Sequence, residues 1–208
     1  MNDIEDSIQN AVQVIREGGL VALPTDTVYC LAADPFNQEA VVRVYEVKQR
    51  PRQMALPVIV ADMQQMQDIC LVSPLALFLV QEFFPHGLTL VLPRLPVIPD
   101  IVTAGKATVA VRIQGYEMTT EIVRKLGHGV VGTSANIHHL KSPVTSKEVY
   151  EQLGGAVDLI MDGRCQGGVE STIVDVTRGK AEVIREGAIP SSHIEKTWKK
   201  FLQAKSNL

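Results

Sequence analysis

Apolar residues along the chain recur with two different periods, and the alternation between them predicts helices and strands in turn. Ile4, Ile8, Val12 and Ile15 stand at helical spacing before Gly18–Gly19, which predicts an amphipathic helix over residues 3–17. Leu20 to Leu23 is a short apolar run meeting Pro24, read as a buried strand entering a turn. Val41, Val44, Tyr45 and Val47 predict a helix over 38–49, and Leu56 to Val60 a second strand ending at Ala61–Asp62. Ser73–Pro74 carries the signature of a helix start, which opens a helix to about Phe84. Further strands are expected at 88–92, 108–113, 129–134, 158–162, 171–177 and 181–185. Helices are expected at 118–126, 145–153 and 191–203, and the proline-punctuated stretch 93–99 reads as a loop.

Strands and helices alternating over the whole length predict an α/β layer architecture around one sheet. The close strand pair 171–177 and 181–185, joined by Arg178–Gly179–Lys180, predicts a hairpin and therefore a mixed sheet. No repeat or linker divides the chain, so residues 1–208 are read as one domain. Its core covers about 8–190, and the helix 191–203 closes it.

Composition narrows the class. At 208 residues, 46% hydrophobic and 21% charged, the chain has the balance of a globular domain. A net charge of −3 excludes a uniformly basic nucleic-acid coat but leaves room for a local cationic pocket. Aromatic residues are 5%, too few for a broad base-stacking platform. Cys30, Cys70 and Cys165 are far apart and odd in number, which argues against disulfides or a metal set and for a reducing, cytoplasmic setting. The N-terminus lacks the pattern of a signal peptide, and no apolar run approaches the ~20 residues of a membrane span.

Candidate chemistry gathers at strand ends. Residues 24–29 and 132–136 end strands, and 167–172 lead into the last hairpin, in hydroxyl, glycine and small side chains, and strand ends are where open α/β sheets collect ligands. Turn and cap duty explains the same residues equally well. Arg112 sits inside the apolar strand 109–113, so it requires an anion, either a protein carboxylate or a ligand. Lys48, Arg50 and Arg52 cluster at a helix end, where they are either a solvated terminus or an anion site. His138–His139 read as a solvent-facing loop pair, and Cys30 as an inert buried thiol. No phosphate loop, nucleophile elbow or metal-spaced His/Cys/Asp set occurs. The residues alone point to a polyanion-handling pocket without a covalent nucleophile.

Seven strings, PTDTVYCLAADP (24–35), YEVKQRP (45–51), LTLVLP (88–93), TVAVRI (108–113), GTSAN (132–136), GVESTIVD (168–175) and REGAI (185–189), follow one another in the order of the YrdC-like family. The chain resembles that family over roughly residues 8–190, and its short, single-domain members most. The resemblance implies a twisted, mixed open sheet flanked by helices around a central, positively lined cavity, related to the DHBP synthase fold. It implies a nucleotidyltransferase that joins L-threonine, bicarbonate or CO2, and ATP into threonylcarbamoyl-adenylate, releasing pyrophosphate. Mg²⁺ is expected to travel with the ATP phosphates, with no protein metal site. The expected partners are transferase proteins of tRNA modification, with tRNA or double-stranded RNA as a further candidate and no membrane.

By the same resemblance, Thr27, Arg112, Gly132 and Ser171 are the expected L-threonine contacts, Arg112 meeting the carboxylate and Gly132 offering a backbone group. Lys48, Arg50, Thr108, Ser134, Asn136, Ser142 and Arg185 are the expected nucleotide contacts, with Lys48 and Arg50 in the catalytic role beside the phosphates. The chain departs from the family pattern at Cys30, Met54–Ala55, Ile59, His86–Gly87 and Gly132–Thr133. Cys30 adds a side chain at a tight pocket wall, and Met54–Ala55 remove an expected ATP contact. Two other functions fit the same cationic cavity: an RNA-binding translation factor, or a divergent relative acting on another carbamoyl or amino-acid substrate.

Overall fold

The computed structural model describes residues 3–85 and 87–206; the departure noted at His86 lies outside the described residues. Among the described residues nine strands form one sheet: β1 (Val21–Leu23), β2 (Cys30–Ala33), β3 (Val58–Val60), β4 (Leu88–Pro93), β5 (Thr108–Ile113), β6 (Val130–Ser134), β7 (Leu159–Ile160), β8 (Thr172–Asp175) and β9 (Glu182–Arg185). Their order across the sheet is β7-β1-β2-β6-β3-β5-β4-β8-β9. Three neighbour pairs are parallel (β1 with β7, β3 with β5, β4 with β8) and the rest antiparallel, so the sheet is mixed, as the hairpin required.

Eight α-helices of the described residues flank it: α1 (Asp3–Arg16), α2 (Gln38–Val47), α3 (Met63–Ile69), α4 (Pro74–Phe83), α5 (Asp100–Thr103), α6 (Glu117–Leu126), α7 (Ser146–Leu153) and α8 (Ser191–Ser206). The sequence marks several of their ends. Asn37, Asp62, Ser73 and Thr145 each accept a backbone N–H at a helix start, and Thr145 with Glu148 completes a reciprocal capping box. Gly127 ends α6 in the left-handed conformation that glycine tolerates best.

Three elements were not anticipated. β2 is a four-residue strand of Cys, Leu and Ala that holds its place by pairing with β1 and β6. Its local β-propensity is weak, so pairing decides it. α3 and α5 are too short for a periodic signal. The strand expected from Leu56 begins at Val58, because the Leu56 N–H leaves the ladder for Val102 O at 2.8 Å. The remaining boundaries fall within a few residues of expectation.

Both sheet faces are buried, which is why the strands read as continuous apolar runs. On one face Leu20, Ala22, Leu31, Ala33, Val58, Val60, Leu90, Val111 and Val174 build the large core beneath α2, α4, α7 and α8. On the other, Val21, Leu23, Cys30, Ala32, Ile59 and Val130 pack against Ile8, Ala11, Val12 and Ile15 of α1 and Ile122 and Val123 of α6. α1 and α6 cover only part of this second face, and the uncovered part carries polar side chains. No helix among the described residues is long and apolar enough to cross a membrane.

Candidate active site

The uncovered part of the second face is the floor of a cavity of about 460 Å³. Strand alternation selects its residues: Ala110 and Arg112 from β5, Ile59 from β3, Gly132 and Ser134 from β6, Ile173 from β8, each next in sequence to a residue of the core on the opposite face. Lys48, Arg50, Arg112 and Arg185 line it against one carboxylate, Glu170, so the cavity is net positive although the chain is acidic.

Arg112 is 7% exposed. The anion it requires is a protein carboxylate: Nη2 pairs with Asp26 Oδ2, and Nη1 donates to Thr27 Oγ1 at 2.8 Å. Thr27 Oγ1 is held in turn by Thr25 Oγ1 at 3.0 Å, which donates to Val28 O or bonds its neighbour. Asp26 Oδ1 and Arg112 Nε are buried without a hydrogen-bond partner, so the pair retains unmet bonding capacity. Beside it, Thr89 Oγ1 and Ser171 Oγ lie 2.7 Å apart. Gly132 was expected to offer a backbone group, but its N–H is spent on Pro57 O at 2.9 Å. Its contribution is space, since a Cβ there would stand 2.3 Å from Ile59 Cδ1.

Lys48 is not a solvated helix end. It is 1% exposed, and its Nζ donates to Ser134 O, to Asn136 O at 2.8 Å and to Asn136 Oδ1 at 3.1 Å. All three ammonium donors are thus engaged by the β6 end, so Lys48 is turned towards protein acceptors at the cavity wall. Burial, with Arg50 beside it, pushes the ammonium down to about 8. Arg50 donates from Nε to Met54 O at 3.2 Å and from Nη2 to Ala55 O at 2.9 Å. Arg50 is thus aimed by the backbone carbonyls of residues 54 and 55, which do not depend on the side chains at those positions.

Arg185 reaches the cavity because β9 carries a bulge opposite Ile173 and Val174, which turns its last residue inward. Its Nη1 pairs with Glu170 Oε2 and its Nη2 donates to Ser171 O at 2.8 Å. Ser142 Oγ donates to Glu170 Oε1 at 2.7 Å.

Nine of the expected site residues line this one cavity: Thr27, Lys48, Arg50, Arg112, Gly132, Ser134, Asn136, Ser171 and Arg185. Ser142 stands one hydrogen bond behind, through Glu170. Thr108 does not reach it. It shares the face of Ala110 and Arg112 but pairs with Pro93 at the far end of β5, beyond the lining.

Thr89, Glu170, His138 and His139 line the cavity and Asp26 backs it through Arg112, and the sequence reading gave none of these a site role. Asp26 and Glu170 lie within the quoted strings, and the unmet charge of Arg112 was the signal for the first. The histidine pair lines the cavity instead of facing bulk solvent alone. Cys30 borders the cavity as an inert thiol, pushed by burial up to about 12. Among the described residues no three His, Cys, Asp or Glu side chains gather closely enough to hold a metal.

The family model for Sua5, YciO and YrdC proteins, described as telomere recombination, matches residues 13–187. Threonylcarbamoyl-AMP synthase of Pyrococcus abyssi is 38% identical over 194 residues, 92% of this chain and 57% of that protein. The threonylcarbamoyl-AMP synthase of Idiomarina loihiensis is 34% identical over 175 residues, 83% of this chain and 92% of that one. The crystal structure of P. abyssi Sua5 complexed with L-threonine superposes with a TM-score of 0.89 at 37% identity, covering 93% of this chain and 57% of that one. The chain thus spans a little over half the length of the Pyrococcus relative. With the model matched over most of its length and relatives of this identity, the chain belongs to the Sua5/YciO/YrdC family.

Proposed function

We propose that this cavity makes L-threonylcarbamoyladenylate from L-threonine, bicarbonate or CO2, and ATP. One observation carries the reading. A buried guanidinium, Arg112, is bonded to the Thr27 hydroxyl on the cavity floor, while two less buried guanidiniums, Arg50 and Arg185, line the same 460 Å³. An amino-acid carboxylate suits the first group and nucleotide phosphates the second. The volume lies within the ~300–1,000 Å³ of small-molecule sites. The names of the relatives and the L-threonine in the Pyrococcus structure support the same pair of substrates.

The chemistry asks little of the protein beyond placement. The threonine amine attacks the carbon of CO2 and loses a proton, giving a carbamate. A carbamate oxygen then attacks the α-phosphorus and pyrophosphate leaves. No enzyme nucleophile is required, so the work is orientation and charge stabilisation. Arg112, oriented by Asp26 and Thr27, holds the amino acid. Arg50 and Arg185, each fixed by protein acceptors, offset charge on the phosphates. Lys48 adds buried positive charge and ties the β6 end to the end of α2. Glu170, the one carboxylate of the cavity, is occupied by Arg185 and Ser142. A Mg²⁺ ion would therefore be held by the phosphates, and no step is assigned to it.

The product is an activated mixed anhydride, so the reaction class that consumes it is acyl transfer, here to a tRNA adenosine by a partner transferase. Three free, buried cysteines suit the reducing cytoplasm. The reading is tested by pyrophosphate release from the purified chain with Mg²⁺. Release is expected only when L-threonine, bicarbonate and ATP are all present. Absence of release, together with no binding of either ATP or threonine, would overturn it.

A further inference from the structure

His138 and His139 stand at the cavity wall with ring centroids 3.8 Å apart, tilted by 39°. Three observations set them apart from an ordinary surface loop. The turn that presents them is fixed from several sides: the His138 N–H donates to Lys48 O at 2.8 Å, and Asn136 Nδ2 donates to Leu140 O at 2.6 Å. Asn136 itself is gripped by Lys48. His139 holds a φ of 72°, the left-handed region that a non-glycine residue enters at a cost and that often accompanies a functional turn. Finally, no ring nitrogen of either histidine has a hydrogen-bond partner among the described residues. The two imidazoles are therefore preorganised and chemically unspent.

We propose that His138 is a phosphate ligand that becomes cationic only when a polyphosphate nucleotide occupies the cavity, so that nucleotide binding takes up a proton. The inference rests on the nucleotide reading of the cavity given above. In the free chain, partial burial and the neighbouring His139, Arg50 and Lys48 all disfavour an imidazolium, holding His138 below its ordinary value. Arg185 and Glu170 line the same cavity and cancel one another as an ion pair. A bound polyphosphate reverses the balance, because its negative charge screens Arg50 and Lys48 and pairs with the imidazolium directly. Proton uptake on binding requires affinity to rise as pH falls through the window between the free and bound values. His138 then adds positive charge beside the phosphates only when they are present.

The test is calorimetric titration with ATP alone, without threonine or bicarbonate, from pH 6 to 8.5 in buffers of different ionisation enthalpy. The wild-type affinity is expected to rise towards low pH, at most tenfold per pH unit for one linked proton. ATP and Lys48 titrate alike in wild type and variant, so the difference between them isolates the imidazole. His138→Gln should lower the protons taken up per ATP and weaken binding several-fold at pH 6, with little change at pH 8.5. His138→Lys, with a charge that does not depend on this pH range, should keep tight binding at pH 8.5. An unchanged proton count and pH slope in His138→Gln overturns the inference while leaving the nucleotide site standing. No ATP binding by the wild-type chain at any pH overturns both.

Discussion

The ion pair between Arg112 and Asp26 spans the wall between two cavities. Arg112 lines the candidate active site, whereas Asp26 lines a separate hollow of about 970 Å³ beside Tyr116 and Met118. Thr25 and Thr27 line both, so the wall there is one segment thick. The side chain best suited to an amino-acid carboxylate is thus anchored from behind by a carboxylate that does not itself line the site.

Removing the guanidinium separates its two duties. Arg112→Ala leaves the Asp26 carboxylate without its cation, and breaking such a largely buried pair costs about 3 kcal/mol. Adding Asp26→Asn should recover part of that loss, which urea unfolding of the single and double variants will show. In titrations of folded Arg112→Ala, threonine binding should fall far more than ATP binding. Equal loss of both would contradict the separate roles.

Lys48→Met tests whether the buried ammonium organises the β6 end. It leaves Ser134 O, Asn136 O and Asn136 Oδ1 without their donor. An unsatisfied buried acceptor costs about 1–3 kcal/mol, so destabilisation of at least that order is expected by denaturant unfolding. The signature of the clamp is a faster amide exchange confined to residues 134–140.

Gly132 is required by contact with Ile59. In Gly132→Ala the new methyl would stand 2.3 Å from Ile59 Cδ1 and 2.5 Å from its Cγ1. Overpacking of this kind costs about 1–3 kcal/mol. Ile59→Ala in the same chain should restore much of the thermal stability, since it removes those two atoms. Failure of the second substitution to help would place the strain elsewhere.

The thiols should be silent in the folded state and costly at high pH. Burial pushes Cys30 and Cys70 up to about 12 and Cys165 to about 11. An unfolded thiol ionises near 8.5, so above that pH the unfolded state binds fewer protons than the native one. The thiol contribution is therefore unchanged below about pH 8 and lowers stability as pH rises through 9 and 10, against a smaller opposite contribution from the single depressed ammonium of Lys48. Alkylation by iodoacetamide at pH 8 should be slow in the native protein and rapid in urea.

Much of this arrangement was readable along the chain because its causes are local. The Ser73–Pro74 and Thr145 helix starts, the apolar stripe of α1 and the β8–β9 hairpin depend on neighbours a few residues away. The need of Arg112 for an anion was equally local, since a charge within an apolar strand cannot stay unpaired. The identity of that anion was not. Asp26 meets Arg112 only because the segment after β1 is brought against β5 by the sheet order. Lys48 stood open between a solvated terminus and an anion site because the acceptors that bury it lie 86 and 88 residues away. Thr108 shared a motif with Arg112, yet four residues along a strand carry it beyond the cavity. Periodicity and capping act through the backbone's own geometry, so the sequence displays them directly. Charge pairing and cavity shape are set by distances through space, which exist only once the strands have found their order.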